Sequence, residues 1–366
     1  MIIMALDHVR DFIHRDAILF SPTDLSRTTA VLFLTRWITH FCAPAFMFTA
    51  GIGAFLWWQR DHSRRQLSTF LLTRGLWLVV LELTVMRFAY NFNFSPQYPI
   101  LLVVLWVLGL CMIGLAALAW LPQRWLLALS LATIVLHNSL DGINATGLWN
   151  LIHRPGAVRV AGQIVIVGYP LVPWIAVMTA GFCCGRVFLM EQVARRRILT
   201  AIGAAATLAF VAIRAVNVYG DPAPWIGGTL SFLNCTKYPP SLDFLLMTLG
   251  PALLALAYFD RLSLPAAHPL IVFGRVPLFY FIVHFYAAHL ISAVLAWLRY
   301  GNHALSFIFN PLPSMGGPRQ AFPADFGFDL LVVYAVWISV VAALYPVCRW
   351  FAGVKARRRE WWLSYL

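Results

Sequence analysis

The chain has 366 residues, 61% of them hydrophobic and only 11% charged, with a formal charge of +13 and a mean hydropathy of +0.77. Soluble domains run at about 45–50% apolar and about 25% charged, so a soluble fold has too few charged residues to coat this much apolar chain. A pI near 9.9 elsewhere suggests a nucleic-acid binder. Here it accompanies a polytopic membrane protein and is first a report of topology. The six cysteines, Cys42, Cys111, Cys183, Cys184, Cys235 and Cys348, form no CxxC pair and indicate neither a zinc site nor a disulfide framework.

A spanning helix needs roughly 20 mostly apolar residues. In chain order the candidates are Met1–Ile13, 31–58, 68–90, 99–120, 125–140, 164–188, 197–214, 241–259, 269–297 and 326–350. The expected fold is all-α: one polytopic helical bundle over 1–366, with about ten transmembrane helices and a basic cytoplasmic tail at 351–366. The first run is short, since thirteen helical residues cover roughly 20 Å against a hydrocarbon core of about 30 Å. It lacks the charged n-region and cleavage site of a signal peptide. The expectation is a truncated first helix with upstream residues missing. With both termini inside, sixteen basic and four acidic side chains fall on the inner face, a net +12. Eleven basic and nine acidic ones fall outside, and Glu82 lies within a span. This asymmetry obeys the positive-inside rule. Arg195-Arg196-Arg197 and Arg357-Arg358-Arg359 read as anchors on anionic membrane lipid.

Ionisable residues at membrane depth are expensive and mark functional candidates, and here they gather toward one side. The outer end of the first span carries Asp7, His8, Arg10, Asp11 and then His14. The second begins near Arg36 and His40, the fifth ends at His137-Asn138-Ser139-Leu140-Asp141, and the seven–eight loop holds Asp221 and Lys237. Span nine contains His284 and His289. A histidine titrating near neutrality can take a proton from an amine or hydroxyl as an acyl group arrives. His8 is the first choice for that base, with Asp7 or Asp11, three to four residues away on adjacent helix faces, to orient it. His14, Arg36, His40, Asp141, Asp221, Lys237 and His284 are expected around an outward polar cavity. His137 and His289 read as structural. On the inner side Arg74, Arg186 and Arg275 suit an anionic cofactor, although any one of them also reads as ordinary anchoring. No metal is expected. Two further readings stand beside this one: a transporter or channel, against which the lack of an inverted repeat counts, and a haem-bearing electron carrier using His284 and His289.

Several stretches carry a resemblance. Met4-Ala5-Leu6-Asp7-His8-Val9-Arg10-Asp11-Phe12, Phe33 to Pro44, Phe70 to Trp77, Asn217 to Pro222, Lys237 to Leu242 and Phe273 to Tyr280 resemble the DUF1624 group of bacterial membrane proteins. That group is similar to heparan-α-glucosaminide N-acetyltransferase, within the transmembrane acyltransferase superfamily. The resemblance implies a bacterial inner-membrane protein that takes acetyl-CoA or another acyl-CoA from the cytoplasm. It implies transfer to a glycan or other small-molecule acceptor bearing an amine or hydroxyl on the far side. It places a key histidine near the first outer loop, where His8 and His14 lie. The family's R-x-x-x-L-D-x-L-R-G-like opening is absent here. Expected partners are acyl-CoA, the acceptor and membrane lipid, with no nucleic acid; a homodimer is left open.

Overall fold

Long apolar stretches become helix throughout the computed structural model, which describes residues 1–358, 360, 363 and 365. Arg359 of the basic tail lies outside the described residues. The chain is 68% helix and 5% strand. Among the described residues six helices are long and apolar enough to cross a membrane: Ala30–Trp58, Arg64–Asn91, Gln192–Val216, Leu242–Phe259, Pro277–Ser306 and Leu330–Arg357. Val104–Leu118 and Trp174–Leu189 are shorter apolar helices.

Several expected boundaries are corrected. The runs 99–120 and 164–188 begin as strands, Ile100–Leu102 and Gln163–Val167, and turn helical only at Val104 and Trp174. Short β-branched apolar runs are compatible with either state until their neighbours decide. With Gly156–Val160 they form a three-stranded sheet in which Ile100 faces Val165 in parallel register and Gly156 faces Val167 in antiparallel register. One small sheet therefore qualifies the all-α expectation. The run 269–297 is two helices, Pro269–Arg275 and Pro277–Tyr300, because Pro277 forces the preceding Val276 out of helical geometry.

The chain divides into two compact units, the first made of 1–39, 84–99 and 264–366, the second of 40–83 and 100–263. In the first, helix Ile2–Ile13 is fastened at both ends. Trp337 Nε1 donates to the Ile2 carbonyl at 2.9 Å and Ser292 Oγ to that of Phe12 at 2.7 Å. His289 is packed between the rings of Phe12 and Phe92, at 4.6 and 3.8 Å, and its Nδ1 meets the Ala89 carbonyl at 2.6 Å.

The second unit is built on close helix crossings. A Cβ on Gly51 would lie 1.9 Å from the Met178 carbonyl oxygen, and one on Gly181 would lie 2.0 Å from that of Phe48. Helices 42–58 and 174–184 therefore touch backbone to backbone, as small residues permit in membrane bundles. Helix Arg64–Leu81 starts on a capping box of Ser63 and Gln66 and continues into a π-helical segment, Glu82–Met86. There the Glu82 carboxylate accepts from the amides of Leu105 and Trp106 at 2.9 and 3.0 Å. It thereby satisfies two N–H groups at the start of helix 104–118 and complements its dipole. Glu82→Ala strands those donors and is expected to cost about 2–4 kcal/mol, with Glu82→Gln costing less. Thermal unfolding in detergent measures this, and an unchanged midpoint for the alanine variant would contradict it.

Candidate active site

The first unit contains the densest polar cluster of the expected site. Arg10, almost fully buried, donates through one nitrogen to Asp7 and Asp11, each at 2.8 Å. Asp7 uses its other oxygen to pair with Arg36. Two guanidiniums and two carboxylates are thus held together with no formal net charge, the condition under which such groups tolerate burial. Helical spacing sets this up, since Asp7, Arg10 and Asp11 fall within one turn.

His8, between them in sequence, has a different partner. Its Nδ1 lies 2.7 Å from Nε2 of His284, 276 residues away, with the two rings stacked 4.9 Å apart. Phe285 packs edge-on to His8 at 4.7 Å. His284 is fully buried, and its Nδ1 lies 2.6 Å from the carbonyl oxygen of Tyr280, one helical turn earlier. These contacts fix the tautomers. A carbonyl only accepts, so Nδ1 of His284 carries a proton and Nε2 of the neutral ring is an acceptor. His8 must then donate from Nδ1, so that in the neutral form of its ring Nε2 is the basic nitrogen. The same bonds occupy both nitrogens of His284, and this argues against its ligating haem iron.

His14 follows helix 2–13 and is buried where the chain pairs with Phe328. Burial holds its imidazole below the ordinary 6.5, the Asp16 carboxylate opposing that shift and Arg10 and Arg15 adding to it. The unfolded chain therefore takes up this proton at a higher pH than the folded one. Stability is full above 6.5 and declines as pH falls through and below it. Between pH 7.5 and 5.5 (roughly one unit either side of a histidine's ordinary value), the unfolding midpoint is expected to drop less in His14→Asn than in the parent. Equal slopes would contradict this.

In the second unit, His40 is buried beside Phe244, ring centroids 5.3 Å apart. Asp141 accepts from His153 Nε2 at 2.8 Å and from Asn138 at 2.7 Å. Burial alone would raise its carboxyl, but these hydrogen bonds outweigh it and hold the group below its ordinary value. Asp221 accepts from the Thr236 amide and hydroxyl at 2.7 and 2.8 Å and from Ser241 at 2.6 Å, pinning the 221–241 loop. Lys237 rides on that loop with its ammonium 5.2 Å from the Tyr238 ring centroid.

Two residues of this unit escaped the sequence reading. His153 lies in a Leu-Ile-His-Arg-Pro stretch that gives no periodic signal. Arg214 was counted only as a charge. It is buried, donates to the carbonyls of Ala223, Ser231, Phe232 and Asn234 at 2.9–3.1 Å, and lies 3.7 Å from Asp243. Its position two residues before the end of an apolar helix, ahead of a long polar loop, is the signal that could have marked it.

Of the three expected cofactor arginines, Arg74 stacks on Phe70 at 4.3 Å. Arg186 is exposed on the turn closing helix Trp174–Leu189, and Arg275 is exposed at the end of helix Pro269–Arg275.

A family model described as heparan-alpha-glucosaminide N-acetyltransferase, catalytic, matches residues 6–221. The matched region takes in His8, Arg36, His40, Arg74, Asp141, Arg186 and Asp221, and ends before Lys237, Arg275 and His284. No curated protein matches the chain.

Proposed function

The chain belongs to the heparan-alpha-glucosaminide N-acetyltransferase catalytic family, and from that premise we propose that it transfers an acetyl or other acyl group from cytoplasmic acyl-CoA to the amine or hydroxyl of a sugar-like acceptor across a bacterial inner membrane. With six long apolar helices among its described residues it is an integral membrane protein, and the proposed arrangement is about ten spans with both termini inside. The observation that carries the reading is the hydrogen-bonded His8–His284 pair.

In this reading Nε2 of His8 removes the proton from the acceptor nitrogen or oxygen as that atom attacks the thioester carbonyl. The tetrahedral intermediate collapses with cleavage of the C–S bond, and the proton passes from His8 to the departing thiolate. His284 acts through His8 by holding its tautomer and ring plane. Asp7 and Asp11 hold Arg10, and Asp7 also holds Arg36. Arg36 and His14 of the same unit supply polar groups toward the acceptor, while in the second unit Asp221 shapes the loop that carries Lys237. The CoA phosphates meet Arg74, Arg186 or Arg275, for which guanidinium geometry is suited.

The test is binding and turnover of radiolabelled acetyl-CoA by purified protein in nanodiscs, with the visible spectrum recorded alongside. Label transferred to glucosamine supports the reading. A Soret band supports the electron-carrier alternative, and neither binding nor turnover favours transport.

A further inference from the structure

The last helix, Leu330–Arg357, belongs to the first unit and carries at its C-terminal end a feature that acyl transfer does not use. Nineteen uncharged residues lie between Asp329 and Arg349. At about 1.5 Å per residue they cover about 29 Å, close to the thickness of the hydrocarbon core. Arg349 therefore stands where acyl chains give way to lipid head groups, and the helix runs on from there to Arg357.

A cleft of about 510 Å³ opens around Gly353, walled by Tyr345, Pro346, Arg349, Trp350 and Arg357. Gly353 lies one helical turn from each arginine. A Cβ built on it would meet only a guanidinium nitrogen of Arg357, at 3.8 Å, so the floor of the cleft is open. Tyr345 is held in place by its hydroxyl, which donates to the Ala267 carbonyl at 2.6 Å. Trp350 is exposed, as suits an indole at the membrane interface. Both arginines are exposed as well. Among the described residues neither has an ion pair or a hydrogen bond, whereas Arg358 pairs with Glu360 at 3.7 Å. Among the described residues no acidic side chain lines the cleft.

We propose that this cleft binds one anionic glycerophospholipid, its phosphate diester held between Arg349 and Arg357 and its glycerol over Gly353. Guanidinium groups match phosphate oxygens in geometry as well as charge. Eight residues set the two Cα atoms about 12 Å apart, a gap that two arginine side chains close on one phosphate. Tyr345, Pro346 and Trp350 offer apolar walls to the first methylenes of the acyl chains. The depth of Arg349 makes the bilayer the source of the ligand. Such a site differs from the diffuse attraction between a basic tail and an anionic surface, because its shape matters as much as its charge. Lipid binding here does not depend on acyl transfer.

Native mass spectrometry of the full chain, released from nanodiscs of equal phosphatidylglycerol and phosphatidylcholine, counts the lipid that stays bound. The parent is expected to keep one phosphatidylglycerol per chain in preference to phosphatidylcholine. Arg349→Gln should lower that retention about ten-fold, the loss of a charge-assisted hydrogen bond. Gly353→Leu keeps every charge but fills the cleft, and a similar loss is expected. Arg358→Gln removes an equal charge outside the cleft and should retain lipid like the parent. All three variants should unfold at the parent's midpoint. A parent that keeps the two lipids equally would overturn the proposal. So would equal losses in Arg358→Gln and Arg349→Gln, the mark of diffuse attraction, or retention like the parent's in Gly353→Leu. Displacement of the lipid by one equivalent of CoA would assign the cleft to a nucleotide and overturn it as well.

Discussion

Replacing His8 with alanine is expected to lower the rate of acetyl transfer by about two to four orders of magnitude, the range a positioned general base supplies. The protein should still fold, because the ion pairs of Arg10 with Asp7 and Asp11 do not involve the imidazole. His284→Ala separates the base from the group that positions it. His284 fixes the tautomer of His8 through the contact at 2.7 Å, so its loss should cost less than loss of His8 and should displace the pH–rate profile. Initial rates with labelled acetyl-CoA over a range of pH make the comparison. A His8→Ala protein retaining more than about a tenth of the parent rate would remove His8 from the chemistry.

A large loss of stability is expected on substitution of Gly51. An alanine methyl there would sit 1.9 Å from the Met178 carbonyl oxygen and 2.6 Å from the Phe182 amide nitrogen. These are backbone atoms, and they cannot rotate away as a side chain can. Helices 42–58 and 174–184 would have to separate, at a cost of about 3 kcal/mol or more. Gly53 supplies the control, since nothing lies within 4 Å of a Cβ built on it. Gly53→Ala should be neutral or stabilising by about 0.5–1 kcal/mol. Unfolding midpoints and the yield of monodisperse protein read both variants, and equal behaviour of the two alanines would refute the close crossing.

How much of this was legible in the sequence depended on range. Asp7, Arg10 and Asp11 could be grouped because helical spacing is local, and Arg36 followed from the next apolar segment. His284 was marked as an intramembrane histidine, but periodicity carries no information about contacts 276 residues apart, so its bond to His8 was hidden. Asp7 and Asp11 were natural candidates to orient His8. In the structure both carboxylates accept from Arg10, and Asp7 also pairs with Arg36. The strands Ile100–Leu102 and Gln163–Val167 were absorbed into spans because short apolar runs look alike in either state. His153 was invisible because its partner Asp141 is twelve residues away across an irregular turn.

The central claim is acyl transfer, and the most direct measurement is the fate of the label when membranes carrying the chain receive radiolabelled acetyl-CoA on the cytoplasmic side and glucosamine on the other. The account predicts acetylated acceptor on the far side in the parent, and a loss of about two to four orders of magnitude in His8→Ala. Parent protein that transfers no label to any amine or hydroxyl acceptor, while carrying an unmodified solute across the membrane, would contradict it.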